Sequence, residues 1–533
     1  MHESPQAADD VQHRLIKALR EVRCYPHAVN SVRVLETHIS WVILAGHYAY
    51  KIKKSVDLGF LNFTTLEARR FYCEEEIRLN RRLAPHTYLD VVAIGGTPDE
   101  PVLGSEPALE YAVRMRRFAV SRQLDRLLAR GRVLPQHMDS LAVSIARFHA
   151  SLPAADMASA YGTPAAIRHA AMENFEHLRA LLSETSDQAR VAAVQQATEA
   201  EFAACEPLLA ERRAQGYVRE CHGDLHLGNI VLLGREPVPF DGIEFNPALR
   251  WIDPISEIAF TVMDLQQHQR RDLASRFLNA WLQESGDYSG VAVLRFYLAY
   301  RAAVRAKVCA IRAAQTNQRN RDQAQALASC RGYLALAAQS FVHGQPALII
   351  THGLPGSGKS TFAQAALERL DAIRIRSDVE RKRLHGLSPL AESRSQAGAG
   401  LYGADVTKRT YARLLDLTRT LLAAGHSVIV DAAFLKQDER AQFRLLALGL
   451  AVPFVIASVQ AGSNTLRARI AQRLHIGNDA SEADLSVLQL LQEKQELLSP
   501  DEHRSTVIIV NEEEGFAESA WSTLEQQLHM PPA

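Results

Sequence analysis

Gly353-Leu354-Pro355-Gly356-Ser357-Gly358-Lys359-Ser360-Thr361 is a run whose residue types and order suit one task, gripping phosphate oxygens. Glycines let backbone N–H groups turn inward around an anion, and a helix starting just behind them adds positive potential. The run fits GxxxxGK[ST], with an apolar strand-like stretch before it and a helical pattern after it. Gly353, Pro355, Gly356, Ser357, Gly358 and Thr361 are expected to wrap the phosphates. Lys359 should reach the β and γ phosphates, and Ser360 should hold Mg2+. Asp378 follows the strand-like Ile373-Arg374-Ile375-Arg376. A carboxylate at the carboxyl end of such a strand faces the ligand crevice and can take a proton from an attacking hydroxyl. The plainer role for it is a helix cap. Arg381 could orient an acceptor or its phosphate. Asp431 closes the run Ser-Val-Ile-Val-Asp, where a carboxylate can hold Mg2+ through water or bind the acceptor. Arg469 and Arg473 share a helical face and suit a lid that clamps transition-state charge, or only a solvated face.

A second constellation lies upstream. His222-Gly223-Asp224-Leu225-His226-Leu227-Gly228-Asn229 reads HGDxxxxN, and Phe240-Asp241-Gly242 follows it. Asp224 would face the acceptor hydroxyl as base, Asn229 would turn back to a metal ion, and Asp241 would be the second metal ligand. Glu244 is near enough to assist. A structural loop with accidental acids is the plain alternative, and the ordered set of four speaks against it.

The 217–245 region resembles the aminoglycoside phosphotransferase and choline-kinase branch of the protein-kinase-like fold. The resemblance spans about 25–340. It places Tyr48-Ala49-Tyr50-Lys51 where such kinases carry a nucleotide-pairing lysine on the third strand. That implies Lys51, with Lys53 as the alternative, and an ion-pair partner at Glu75 or Glu76. No GxGxxG joins the first two strands, a motif this family often lacks. Asp253 resembles the family's later aspartate that braces the catalytic loop. Residues from about 346 to 533 resemble small P-loop kinases of the gluconate-kinase, zeta-toxin and polynucleotide-kinase group, with Asp378 and Arg381 matching the catalytic pair of polynucleotide kinases.

The elements that must position these residues follow from periodicity. A leading helix precedes strand-like runs at Ser31–Ile39, Trp41–Leu44 and Tyr48–Lys53. A helix starts near Thr64, where Thr64 and Glu67 have capping-box spacing. A strand is expected at Glu110–Arg116, and mostly helix from about Ser121 to Gln215 and again to about 342. Then Ala347–Thr351, Ile373–Ile375, Ser427–Val430, Phe454–Ser458 and Val507–Val510 alternate with helical segments, which predicts a parallel sheet with crossover helices. The expected class is an α/β multidomain chain. A bilobal kinase-like α+β domain at 1–343 (first lobe about 25–118, helical lobe about 119–343) precedes a P-loop domain at 346–533. His343–Pro346 is the expected linker. Ser481 and Asp484 have capping spacing for one late helix.

The chain has 533 residues, 47% of them hydrophobic and 23% charged, which excludes wholesale disorder. Its 60 Lys+Arg balance 60 Asp+Glu, so nonspecific attraction to nucleic acid is disfavoured. The 6 cysteines show no CxxC pairing, which points away from zinc and toward a reducing cytoplasm. No signal segment or membrane span is expected. Arg301, Arg305, Lys307, Arg312, Arg319, Arg321 and Arg331 form a basic run, suited to an anionic acceptor or RNA, or simply to a solvated or interdomain face.

The leading expectation is a bifunctional ATP-dependent phosphotransferase with two Mg2+·ATP sites, acting on hydroxyl groups of small molecules, some of them anionic. The alternatives are a polynucleotide 5′-hydroxyl kinase and a nucleotide-gated regulatory ATPase. The oligomeric state is not legible from the sequence.

Overall fold

Alternation along Tyr48–Lys53 sends Tyr50 and Ile52 to one side of a sheet and Lys51 and Lys53 to the other. Tyr50 and Ile52 join Leu15, Ile16, Leu19, Trp41 and Ile43 in a buried cluster. This frees the opposite face for charge. The computed structural model describes residues 5–57, 59, 61–315, 321–342, 344–391, 403–476, 480–512 and 515–529. The chain divides into two compact units. The first comprises Met1–Leu141, Phe148–Glu173 and Glu206–Asp264, and the second Ala142–Arg147, Asn174–Cys205 and Leu265–Ala533.

The first unit carries helix α1 (Pro5–Ala18) and strands β1 (Val32–Glu36), β2 (Ser40–Ala45), β3 (Tyr48–Lys53), β4 (Tyr88–Gly96), β5 (Pro101–Leu103) and β6 (Glu110–Arg116). These form one sheet in the order β1-β2-β3-β6-β4-β5, antiparallel throughout. Periodicity gave β3 and β6 with their limits but not β4 or β5. Helix α2 (Leu66–Asn80) packs on β6 and β4. Its cap is Thr65, which accepts from Ala68 N–H at 3.1 Å, rather than the expected Thr64. Helix α3 (Leu124–Leu128) follows, and then α4 (Pro135–Ser151), α5 (Pro164–Leu181) and α6 (Thr185–Ala214), each of which has residues in both units. Short β7 (Arg219–Glu220), the hairpin of β8 (Ile230–Leu233) and β9 (Glu236–Pro239), short β10 (Trp251–Ile252) and helix α7 (Pro254–Gln267) complete the loop-bearing region.

The second unit contains α8 (Arg271–Ser285), α9 (Leu294–Gln315) and α10 (Arg321–Gln339), then a five-stranded sheet with its helices. Strands β11 (Leu348–His352), β12 (Ile373–Arg376), β13 (Val428–Asp431), β14 (Phe454–Gln460) and β15 (Thr506–Val510) are ordered β12-β13-β11-β14-β15 and are parallel throughout. That is the expected crossover sheet. The helices between them are α11 (Lys359–Leu370), α12 (Ser377–Arg383), α13 (Ala404–Ala423), α14 (Gln437–Gly449), α15 (Ser463–Ile476), α16 (Leu485–Lys494) and α17 (Pro500–His503), and α18 (Glu518–Leu528) follows β15. Phe362, Ala363, Ala366 and Leu367 of α11 pack on Ile349, Ile429 and Val455 of the sheet. This fixes the start of α11 at the carboxyl end of β11. Asp484, not Ser481, caps α16, accepting from Val487 N–H at 2.9 Å. Of the basic run, Arg301 is buried and Arg331 binds Asp187 and Glu184. Arg319 and the linker's His343 lie outside the described residues.

Candidate functional sites

In the first unit Lys51 and Lys53 meet the inner face of α2. Lys51 Nζ donates to Glu76 Oε1 at 2.8 Å and to Asp241 Oδ1 at 2.5 Å. Lys53 Nζ donates to Glu76 Oε2 at 2.8 Å and also to Glu244. Burial disfavours charge on Glu76, yet the two lysines overcome it and bring its pKa down to about 2. Burial foremost, with Glu76 nearby, raises Glu244 despite Lys53. Of the two glutamates left open by sequence, the structure brings Glu76 to the lysines. Glu75 is instead paired with Arg78 at 2.8 Å and Arg250 at 3.4 Å. Glu244 is buried as a partner of Lys53 rather than standing beside Asp241 as a helper.

The HGD loop is tied down by its backbone. Gly223 has φ 87°, and a Cβ there would lie 2.8 Å from Leu249 O, so glycine is required. His222 N–H and Gly223 N–H donate to Glu257 of α7 at 2.8 and 2.7 Å. The His222 ring lies with Nε2 2.9 Å from Phe240 O, and burial pushes its pKa below the ordinary value. Asn229 Nδ2 donates to Asp224 Oδ2 at 2.8 Å, so those two side chains share one pocket of the loop. Phe240 N–H donates to Asn229 O at 2.9 Å, which ties the residue before Asp241 to the loop. Asp241 itself has φ 62°, with its N–H donated to Tyr88 Oη at 2.9 Å. A non-glycine residue in that conformation is held by its surroundings. Lys51, Glu76 and Asp241 thus form one contact group and Asp224 and Asn229 another, joined through the backbone bond between Phe240 and Asn229.

Sequence reasoning missed Glu257, the brace of the HGD loop. It favoured Asp253, which instead pairs with Arg212 at 2.6 Å and receives Ile255 N–H at 2.9 Å. A signal existed: Glu257 is a lone acid in the apolar start of α7. Asp264, buried farther along α7, likewise accepts from Leu227 N–H at 3.0 Å.

In the second unit the phosphate loop lines a cavity of about 1170 Å³. Pro355, Gly356, Gly358, Lys359, Ser360 and Thr361 line it, as do Asp378, Arg381, Asp431, Arg469 and Arg473. Gly353 and Ser357, also expected to wrap the phosphates, are not in its lining, and Ser357 is buried. Gly358, at φ 95°, has no room for a Cβ against the Asn511 amide, which donates to Ser357 O at 2.9 Å. Lys359 Nζ donates to Leu354 O at 2.8 Å, and burial lowers its pKa to about 8. Asp378 sits in the first turn of α12, where the cap position belongs to Arg376, and it pairs with Arg381 at 2.8 Å. Asp431 is buried, with Oδ2 lacking a hydrogen-bond partner and Arg376 at 3.5 Å. Arg469 Nη1 and Arg473 Nε are buried without hydrogen-bond partners. Sequence reasoning missed Tyr411 and Glu439, which also line the cavity. Burial raises the pKa of Glu439, and Tyr411 donates support to it.

These features fit a triphosphate and a hard cation. The glycines leave a backbone cradle that a Cβ would fill, the orphaned arginine N–H groups suit anionic oxygen, and the all-oxygen donors Ser360 and Asp431 suit Mg2+. Asn229 and Asp241 offer the same donor chemistry in the first unit.

Comparison with known proteins bears on this geometry. A family model described as phosphotransferase enzyme family matches residues 69–297, and one described as AAA domain matches 348–498. The uncharacterized protein Rv2004c of Mycobacterium tuberculosis is 31% identical over 464 residues, covering 86% of this chain and 90% of that protein. The same figures hold for the uncharacterized protein Mb2027c of Mycobacterium bovis. The chain belongs to their family. In this chain a phosphotransferase-type, kinase-like domain precedes a P-loop kinase domain. Among solved structures, an amicoumacin kinase in complex with AMP-PNP, Ca2+ and Ami is 15% identical, covering 64% of this chain and 96% of its own, with a TM-score of 0.40. A gluconokinase from Sinorhizobium meliloti is 20% identical, covering 34% and 90%, with a TM-score of 0.24. In this family member no helix among the described residues is long and apolar enough to cross a membrane. None of the six cysteines is joined in a disulfide.

Proposed function

We propose that the chain is a bifunctional phosphotransferase in which each kinase-like domain takes Mg2+·ATP and passes the γ-phosphate to a hydroxyl of a small molecule. The observation that carries this reading is the content of one cavity. It combines the phosphate loop, the carboxylate Asp431, the Asp378–Arg381 pair and two buried arginines in about 1170 Å³. Ligand pockets for one small molecule run to roughly 300–1,000 Å³, so nucleotide and acceptor fit together. Asp378 takes the acceptor proton, Arg381 holds Asp378 in place, and Arg469 and Arg473 meet charge that grows on the transferring group. The cation, when bound at Ser360 and Asp431, neutralises phosphate oxygens. In the first unit Lys51, oriented by Glu76, grips the nucleotide phosphates. Asp224 takes the acceptor proton, while Asn229 and Asp241 serve a cation. Domain limits of 1–343 and 346–533 accompany this reading, as does a cytoplasmic setting.

The polynucleotide-kinase alternative leans on the cluster Arg374, Arg376, Arg381, Lys382 and Arg383, two of which are occupied elsewhere. Lys382 is buried with Glu482, and Arg383 is spent on Glu380 and Gln283. The test is incubation of the full chain with γ-labelled ATP and a fractionated cell extract, with mass spectrometry of labelled products. Asp224→Ala is expected to abolish one labelled product and Lys359→Ala another. Persistence of both products in the double variant overturns the proposal.

A further inference from the structure

β12 lies at the edge of the parallel sheet, bonded to β13 on one side only. Ile373 N–H is used inward, on Ser427 O at 2.9 Å. The outward groups on either side of it, Ala372 O and Arg374 N–H, would be left without a ladder. They are met by one side chain of α8. Asn279 Oδ1 accepts from Arg374 N–H at 2.7 Å, and its Nδ2 donates to Ala372 O at 3.0 Å. A carboxamide placed this way reproduces the donor and acceptor of a neighbouring strand. Nδ2 also donates to Ser275 O of its own helix at 2.8 Å, which fixes the orientation of the amide.

Asn279 is the middle of a stripe. Ser275, Asn279 and Gln283 recur at every fourth position and so face one way on α8. Ser275 Oγ donates to Asp371 just before the strand. Asn279 takes the strand itself. Gln283 contributes its main-chain O, which accepts from Arg383 Nη2 at 2.5 Å at the far end of α12. Arg276, on the adjoining face, pairs with Glu368 of α11 at 2.7 Å. The stripe therefore follows the chain from Asp371 through Arg383, and Asp378 and Arg381 lie inside that stretch. Ser275 and Asn279 are 2% and 4% exposed, so water does not compete for these bonds. All these residues belong to the second compact unit. Yet α8 falls within the match to the phosphotransferase family model, 69–297, and β12 within the match to the AAA domain model.

We infer that Asn279 is a positioning residue for the P-loop kinase. Through β12 and α12 it sets Asp378 and Arg381 at the cavity, so that a helix of the phosphotransferase-family domain completes the P-loop catalytic site. This rests on the proposed reading of that half as a kinase. Asn279 itself touches no residue of the phosphate loop, although Arg374 Nη1 reaches Ser360 O at 3.4 Å. Loss of the amide therefore slows turnover more than it weakens nucleotide binding.

The test uses the full chain in an Asp224→Ala background, which silences the first site. ATP turnover onto water is followed together with AMP-PNP binding and amide hydrogen exchange. Asn279→Leu is expected to lower kcat at least tenfold with KM for ATP and AMP-PNP affinity within twofold. The Arg374 amide should exchange at least tenfold faster, while the Ile349 amide of central β11 is unchanged. Asn279→Asp keeps the shape but sets an oxygen against Ala372 O. It should lower kcat at least threefold, and it decides the matter if the leucine variant does not fold. Parental Arg374 exchange in a folded leucine variant overturns the inference, and so does faster exchange with unchanged kcat. If the parent neither binds AMP-PNP at the P-loop site nor turns over ATP, the kinase reading of that half fails separately. The exchange rates then still decide whether α8 holds the strand.

Discussion

Glu76 Oε2 accepts from Lys53 Nζ at 2.8 Å, and solvent reaches neither side chain. Glu76 thereby serves two lysines of β3 at once, since Oε1 is taken by Lys51. The outer lysine, Lys51, is the one in reach of Asp241, and the inner one is closed off between Glu76 and Glu244. The two lysines are thus divided in their work by depth.

Removing the inner lysine should cost stability rather than chemistry. Lys53→Met leaves Glu244 without its partner and is expected to destabilise the protein by about 3–5 kcal/mol. Lys53→Met with Glu244→Gln should recover much of that loss. Urea unfolding of the single and double variants checks the coupling. Lys51→Met leaves Glu76 paired with Lys53, and should show the smaller unfolding shift.

Acid sensitivity should arise at Glu257 as well as at Glu76. Burial works against its charge, but His149 at 3.5 Å, His222 and the Gly223 N–H outweigh burial and bring its pKa down to about 2, with Arg82 adding a more distant positive charge. A carboxyl whose folded pKa lies below its unfolded value of 4.5 gives stability that is full above pH 4.5. That stability drains away as pH falls toward 2. The sum at neutral pH is on the order of 3 kcal/mol. Melting temperatures at pH 5 and pH 3.5 should therefore fall further apart in the parent than in Glu257→Gln.

Gly358 is the glycine of the phosphate loop with least room. Gly358→Ala must move the Asn511 amide and strain a backbone at φ 95°. Calorimetric titration with AMP-PNP should show the P-loop site weakened at least tenfold. The first site, read separately in a Lys359→Ala background, should bind as before.

Asp431 offers a buried carboxylate oxygen with no hydrogen bond. Asp431→Asn should raise the Mn2+ concentration for half-saturation at least tenfold, as read by electron paramagnetic resonance. An unchanged titration would remove Asp431 from the set of cation ligands.

Much of this was legible because the motifs are local. The phosphate loop, the HGD loop and Asp241 announce themselves by residue type and spacing, and apolar alternation marked β3, β6 and the parallel sheet. Strands β4 and β5 were missed because Tyr88–Gly96 is only half-buried along most of its length and so lacks a clear two-residue period. Glu75 and Glu76 could not be told apart because the buried face of α2 carries Arg69, Glu76 and Asn80, which blurs the apolar stripe. Asn279 was illegible for a different reason. Polar residues at every fourth position ordinarily mark a solvated helix face, and only the fold shows what covers this one.

The quartet Lys51, Glu76, Lys53 and Glu244 alternates in sign and sums to neutrality. Mobile ions cannot enter a cluster that is almost wholly dry, so raising the salt concentration leaves it intact. The exposed pair Arg14–Asp99, which ties α1 to the β4–β5 turn, enjoys no such shelter. In strong brine the rim of this lobe loosens first, while the lysine-bearing strand keeps its alignment.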